Sequence, residues 1–229
     1  MTTISANLQA VLTRIDAAAR SCGRNPAEIA LLAVSKTWPA DDVCEAAAAG
    51  QRAFGENYVQ EGVAKAQALA ALGLEWHFIG PLQSNKTRAV AETFAWVHSI
   101  DRLKIAQRLS EQRPDDLPPL QVCLQVNVSD ENSKSGVGLD DVSVAAHAIA
   151  ALPRLRLRGL MAIPAPTDDI HAQRRAFRGL REAFERLCRE GLPLDTLSMG
   201  MSHDLEAAVA EGATLVRVGT AIFGERTRT

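Results

Sequence analysis

The chain alternates short apolar runs with longer amphipathic stretches. The runs are 29–35 (IALLAVS), 52–57 (RAFGEN), 74–80 (LEWHFIG), 96–100 (WVHSI), 120–128 (LQVCLQVNV), 155–163 (LRLRGLMAI), 194–199 (LDTLSM) and 214–219 (TLVRVG). They are apolar, β-branched and bounded by Gly, Ser, Asn or Pro. Strands covered by helices on both faces read this way, because neither face meets water. Between them, helices are predicted over 39–50, 60–72, 101–113, 140–152, 168–190 and 202–211. Pro39 opens the first and Gly50 ends it. Asp101 is the expected N-cap of the third, with Pro114 beyond its end. Strand–helix alternation of this kind implies parallel strands joined by right-handed crossovers.

Eight such strands predict an α/β fold, a single (β/α)8 barrel of the TIM type spanning 1–229 with no second domain. An open doubly wound sheet is the rival. It would carry a Gly-rich dinucleotide turn after the first strand, where SKTWP stands instead. After the last strand only GTAIFGER remains, too little for a covering helix. Residues 5–20 carry Leu8, Val11, Leu12 and Ile15 on one face. They predict an extra N-terminal helix placed to cover the seam. Pro114, Pro118 and Pro119 mark a long loop before the fifth strand.

Composition narrows the class. Hydrophobic residues at 47% and charged residues at 23% exclude a disordered chain. Aromatics are only 4%, so the core is expected to be aliphatic. A net charge of −2 without a basic block argues against a sequence-independent grip on nucleic acid. No run approaches the roughly 20 apolar residues of a membrane span. The start MTTISANLQA lacks a basic-then-apolar leader, so a cytoplasmic protein is expected. Cys22, Cys44, Cys123 and Cys188 form no C-x-x-C pair and are expected to be reduced thiols, Cys123 within the core. No H-E-x-x-H or carboxylate cluster of metal spacing occurs, and no metal is expected.

Chemistry in a barrel gathers at the C-terminal ends of its strands. Along LLAVSK, Leu32, Val34 and Lys36 share one face. If the first two point inward, Lys36 stands at the mouth as a desolvated amine nucleophile with a lowered pKa. Otherwise it reaches out to solvent. The turns at Ser202 and at Gly219–Thr220 follow the seventh and eighth strands. Each opens a helical segment, as a barrel phosphate site requires; the alternative is that Gly200 and Gly219 merely permit tight turns. Arg217 interrupts an apolar strand, and a charge there must be paired or functional. Its alternatives are an ion pair with Glu56 or a donor at the base of a ligand. A mouth lysine, a phosphate cup and an inward arginine together match pyridoxal 5′-phosphate (PLP).

The stretches LLAVSKT, GQRAFGENYVQE, LEWHFIGPLQSNK, QVNVSDENSKSG, LRGLMAIP, LSMGMSHDLEAA and VRVGTAIFGER also carry a resemblance. The chain resembles the YggS/PROSC family of pyridoxal phosphate homeostasis proteins, over nearly its whole length. The resemblance implies a barrel like the N-terminal domain of alanine racemase, with PLP held as an imine on Lys36. It implies Asn57 beside the cofactor, Ser202, Gly219 and Thr220 on its phosphate, and Arg217 facing its ring nitrogen. His203 departs from the acidic residue often found there.

The resemblance implies a non-catalytic PLP carrier that buffers or hands on the cofactor, with apo PLP-dependent enzymes as recipients. The chain is expected to be a monomer. The alternatives are a small PLP-dependent amino-acid racemase and a PLP-independent Schiff-base aldolase using Lys36. Racemisation needs an acid/base group on each face of the substrate Cα. The one tyrosine, Tyr58, carries no mark of a poised acid. His147 and His171 are expected on helix surfaces, whereas His77 and His98 end strands and are candidates for the mouth. Lys134 is either a second reactive amine or a solvated loop lysine.

Overall fold

The computed structural model describes residues 3–129 and 135–225. Each predicted apolar run contains one barrel strand: β1 (Ala30–Val34), β2 (Ala53–Glu56), β3 (Glu75–Phe78), β4 (Trp96–Ile100), β5 (Leu120–Asn127), β7 (Leu155–Met161), β8 (Thr196–Ser198) and β9 (Leu215–Val218). All pair in parallel in the order β4-β3-β2-β1-β9-β8-β7-β5, and β4 pairs with β5 to close the ring. The closure decides against the open sheet. A two-residue strand, β6 (Val137–Gly138), adds to the end of β5 opposite Val126 and Asn127, and the apolar pattern gives no hint of it.

Strand alternation splits the core in two. Along β1, Leu31 and Ala33 face the helices, and Leu32 and Val34 face the barrel axis with Ile79 and Leu215. Trp96, Cys123 and Met161 pack on the other side of the interior. Between sheet and helices the largest fully buried side chains include Phe54, Phe78, Phe94 and Phe177. Each contributes about 1.5–3 kcal/mol of transfer free energy.

The helices are α1 (Ile4–Ser21), α2 (Ala40–Ala48), α3 (Val59–Ala68), α4 (Thr87–Thr93), α5 (Leu103–Gln112), α6 (Val142–Ala150), α7 (Ile170–Arg189), α8 (Leu205–Ala210) and α9 (Thr220–Phe223). The N-terminal helix α1 is capped by the Thr3 hydroxyl, which accepts from the Ala6 N–H. It buries Leu8, Val11 and Ile15 but leaves Leu12, at the edge of the stripe, 40% exposed. It covers the β9–β1 seam as expected. Asn7 Nδ2 donates to the Ile222 carbonyl at 2.9 Å, and Arg14 pairs with Glu206 on α8.

Three details depart from the sequence reading. Asp101 does not cap α5, which starts at Leu103 after Arg102: its Oδ2 pairs with Arg102 at 2.7 Å, and its buried Oδ1 has no hydrogen-bond partner. The cap of α7 is Asp169, whose Oδ1 accepts from His171 N–H at 2.9 Å, so the helix begins two residues past 168. Helix α4 is an addition; its seven residues are too few to set up a visible apolar period.

Candidate functional site

A cavity of about 620 Å³ opens at the C-terminal end of the barrel. Lys36, Asn57, Ser202, Arg217, Gly219 and Thr220, all singled out in the sequence, line it together. Ile79, the segment 163–168 after β7, and Met201, His203 and Asp204 after β8 complete the wall. Strand parity explains the convergence. Leu32 and Val34 face inward on β1, so Lys36, two residues on, reaches the same space. On β2 the outward positions are Phe54 and Glu56, and Asn57 falls on the inward register.

That parity settles Arg217 against Glu56. Glu56 is fully buried on the outer side of the wall, where Oε1 accepts from Lys65 Nζ at 2.8 Å and from Ser35 Oγ at 2.6 Å. Burial pushes its carboxyl above the usual range. Arg217 lies inside the barrel, 4% exposed. Its Nη1 donates to the Ser198 carbonyl at 2.6 Å and to Ser198 Oγ at 2.7 Å, and its Nη2 to the Ala162 carbonyl at 2.9 Å. Burial lowers its pKa to about 10, opposed by the charge of Asp204, so it stays cationic at neutral pH. Three bonds to the barrel wall fix the plane of the guanidinium beside the cavity.

Below Arg217 a hydrogen-bonded chain crosses the interior. Ser198 Oγ meets His98 Nδ1 at 2.7 Å, His98 Nε2 meets His77 Nδ1 at 2.9 Å, and His77 Nε2 meets Glu75 Oε1 at 2.8 Å. One proton assignment satisfies every bond with neutral rings and an ionised Glu75. Arg217 donates to Ser198, Ser198 to His98, His98 to His77 and His77 to the carboxylate. Desolvation holds His98 well below the usual imidazole range, helped by the neighbouring His77, which cannot share a second buried positive charge with it, and by the charge of Arg217. Desolvation also lowers His77, against the pull of Glu75. His77 and His98 are therefore not mouth residues. Each lies a layer beneath the cavity, because Ile79, two residues after His77, is the β3 side chain that reaches it.

The two turns read as an anion cup are close-packed. A Cβ on Gly219 would stand 3.0 Å from the Val34 carbonyl oxygen, so the backbone there approaches β1 closely enough that a larger residue would have to push it back. Gly200 has φ +94°, and a Cβ on it would meet Ala208 Cβ at 2.6 Å. Ile222 and Phe223 N–H groups bond the Gly219 carbonyl, which starts α9. The N–H groups of Thr220 and Ala221 then have no partner within the helix. Ser202 sits in a turn ahead of α8, not at its first residue. Asp204 Oδ1 accepts from Met201 N–H at 2.5 Å, and the Ser202 carbonyl accepts from Arg14 at 2.7 Å. Burial raises the Asp204 carboxyl, against that Met201 bond and the Arg217 charge. Asn57 Oδ1 is buried at the wall without a hydrogen-bond partner. A buried polar atom of this kind costs about 1–3 kcal/mol until something satisfies it.

Other candidates fall elsewhere. Tyr58 is 54% exposed and outside the cavity lining. Lys134 lies outside the described residues. His203 is exposed on the rim of the cavity. Cys123 is buried in the barrel interior, where desolvation pushes its thiol up to about 12. No helix among the described residues is long and apolar enough to cross a membrane.

A closed parallel barrel whose mouth gathers a lysine, an arginine and two glycine turns places the chain in one structural class. It belongs to the family of the alanine racemase N-terminal domain, whose pattern matches residues 6–227. Within that class it belongs with the pyridoxal phosphate homeostasis proteins. It is 63% identical over 226 residues to the one from Pseudomonas aeruginosa, covering 99% of this chain and 97% of that protein. The solved structure of PipY from Synechococcus elongatus, with PLP bound, is similar at 40% identity and a TM-score of 0.81, covering 93% of this chain and all of that one. Alanine racemase from Corynebacterium glutamicum shares the fold at 21% identity and a TM-score of 0.71, with 96% of this chain matching 62% of the racemase.

Proposed function

We propose that the chain binds PLP in the barrel-mouth cavity and serves cytoplasmic PLP homeostasis as a non-catalytic monomeric carrier. In this reading, residues 1–229 form a single PLP-binding domain that passes cofactor to apo PLP-dependent enzymes. The observation that carries it is the convergence of Lys36, Arg217 and the two close-packed turns on one cavity. The donor set fits the cofactor. An amine suits an aldehyde, N–H groups and hydroxyls suit a phosphate, and the orphaned Asn57 Oδ1 suits a donor group on the ligand. The PLP-bound PipY structure and the homeostasis role of the Pseudomonas relative support the same reading.

PLP supplies an aldehyde that condenses with amines and a ring that withdraws electrons from what is attached. The protein's own residues set how far that goes. Lys36 holds the cofactor through a reversible imine. Thr220, Gly219 and Ser202 hold the phosphate. Arg217, cationic and immobilised by Ser198 and Ala162, donates to the ring nitrogen and keeps it unprotonated. An unprotonated ring is a weaker electron sink, so a proton on an attached Cα stays in place. No tyrosine lines the cavity among the described residues, and the Asp204 carboxyl is engaged by Met201 N–H. His203, exposed on the rim, and Asp168 are the other titratable side chains of the lining, so it is the missing tyrosine and Arg217 that argue against a racemase. The test is Cα–H exchange of several amino acids with the PLP-loaded protein in deuterated water. The carrier reading predicts negligible exchange; rates of about 1 s⁻¹ or more, ordinary for enzymes, would restore the racemase.

A further inference from the structure

Lys36 and Thr37 are the central residues of a four-residue turn, closed by Trp38 N–H donating to the Ser35 carbonyl at 3.1 Å. Thr37, the third residue, has φ +67°. Turns with positive φ at this position take Gly or Asn, because a Cβ crowds the backbone there. A β-branched residue in the left-handed region is a genuine outlier. Such strain persists only where the surroundings over-determine it.

The surroundings are three charged side chains on the outer side of the barrel wall. Lys65 on α3 is buried and uses its three N–H donors on the Ser35 carbonyl at 2.7 Å, Glu56 Oε1 at 2.8 Å and Glu61 Oε1 at 2.6 Å. Glu56 Oε1 also accepts from Ser35 Oγ. Glu61 Oε1 accepts from the N–H of Thr37 itself at 2.5 Å. The residue before Lys36 is thus held at carbonyl and hydroxyl, and the residue after it at its amide. None of the three clamping side chains lines the cavity.

We infer that Glu56, Glu61 and Lys65 form a clamp that holds Thr37 in the left-handed conformation and so aims Lys36 at the cavity, with Glu61 as a positioning residue for the attachment of PLP. The inference rests on the reading of Lys36 as the attachment residue. Without the Glu61 acceptor, Thr37 relaxes toward negative φ, the turn opens and Lys36 swings off its line of approach. Glycine at 37 takes the same φ without the steric penalty, so it should remove the need for the clamp.

The experiment compares wild type, Glu61→Ala, Glu61→Gln, Thr37→Gly and the double variant Glu61→Ala/Thr37→Gly. Two titrations are run on each: PLP, read by the visible absorbance of the lysine imine, and pyridoxine 5′-phosphate, an alcohol that cannot form one. Glu61→Ala should weaken imine formation about tenfold and leave pyridoxine 5′-phosphate affinity unchanged. Glu61→Gln, which keeps an oxygen acceptor, should fall between. The double variant should return to within about twofold of Thr37→Gly alone. Unchanged imine formation in Glu61→Ala would overturn the inference. So would an equal loss of both ligands, which marks a general structural role, or a double variant no better than Glu61→Ala. A wild-type chain that binds pyridoxine 5′-phosphate but forms no imine would instead overturn the reading of Lys36, and the clamp's purpose with it.

Discussion

The buried histidine pair makes acid stability a quantitative test of the barrel interior. His98 is enclosed by His77 on β3, Ser198 on β8 and Arg217 on β9, and among the described residues no carboxylate bonds to it. Its folded pKa lies well below 6.5, so the folded protein keeps it neutral where the unfolded chain protonates it. The unfolded state then binds more protons, and stability is full above pH 6.5 and lost as pH falls toward the folded pKa. With a reference pKa of about 6.5, moving from pH 7 to pH 5 costs up to about 2 kcal/mol from His98 alone. That is a sizeable share of a total stability of about 5–15 kcal/mol. Buried carboxyls with raised pKa, Glu56 and Asp204 among them, gain stability over part of the same window and mask the effect in wild type. Replacing His98 with Gln, which does not titrate, isolates it. Urea denaturation of the apo protein at several pH values from 5 to 7.5 should show His98→Gln destabilised at pH 7. Its pH slope below 6.5 should be shallower than wild type by up to about 1.4 kcal/mol per unit. Parallel slopes for the two proteins would refute the neutral, desolvated His98.

Thr220→Glu places a carboxylate at the anion cup and should abolish PLP retention while leaving urea stability of the apo protein within about 0.5 kcal/mol; unchanged PLP affinity would remove the phosphate from this turn. Arg217→Met removes the guanidinium donor from Ser198 Oγ, the Ser198 carbonyl (which keeps the Ala162 N–H) and the Ala162 carbonyl and should lower apo stability by about 1–3 kcal/mol, read by the same denaturation; a stabilised variant would mean that burying the guanidinium cost more than its three bonds returned. PLP-loaded protein incubated with an apo PLP-dependent enzyme should restore its activity as fully as an equal dose of free PLP; no restoration would argue against a carrier.

Much of this was legible in the sequence because period-2 alternation is rigid in a strand. It put Lys36 on the face of Leu32 and Val34, with no knowledge of neighbouring strands. It left Arg217 undecided between Glu56 and a ligand. The partner of Glu56 is Lys65, whose side chain comes back to β2 from α3, a contact that only the tertiary fold creates. His77 and His98 were legible as inward polar residues but not as deep ones. Depth depends on where each strand meets the mouth, and β3 delivers Ile79 there instead. The strained turn at Thr37 was invisible, since threonine is a poor signal for positive φ. Helix α4 escaped because seven residues span only about two turns.

The most direct measurement on the whole account is chemical. The protein loaded with PLP is reduced with borohydride, digested, and its pyridoxyl-lysine located by peptide mass mapping. The account predicts the label on Lys36, in the peptide containing LLAVSK, with the visible absorbance lost on reduction. Label on Lys134 or Lys86, with none on Lys36, would contradict it.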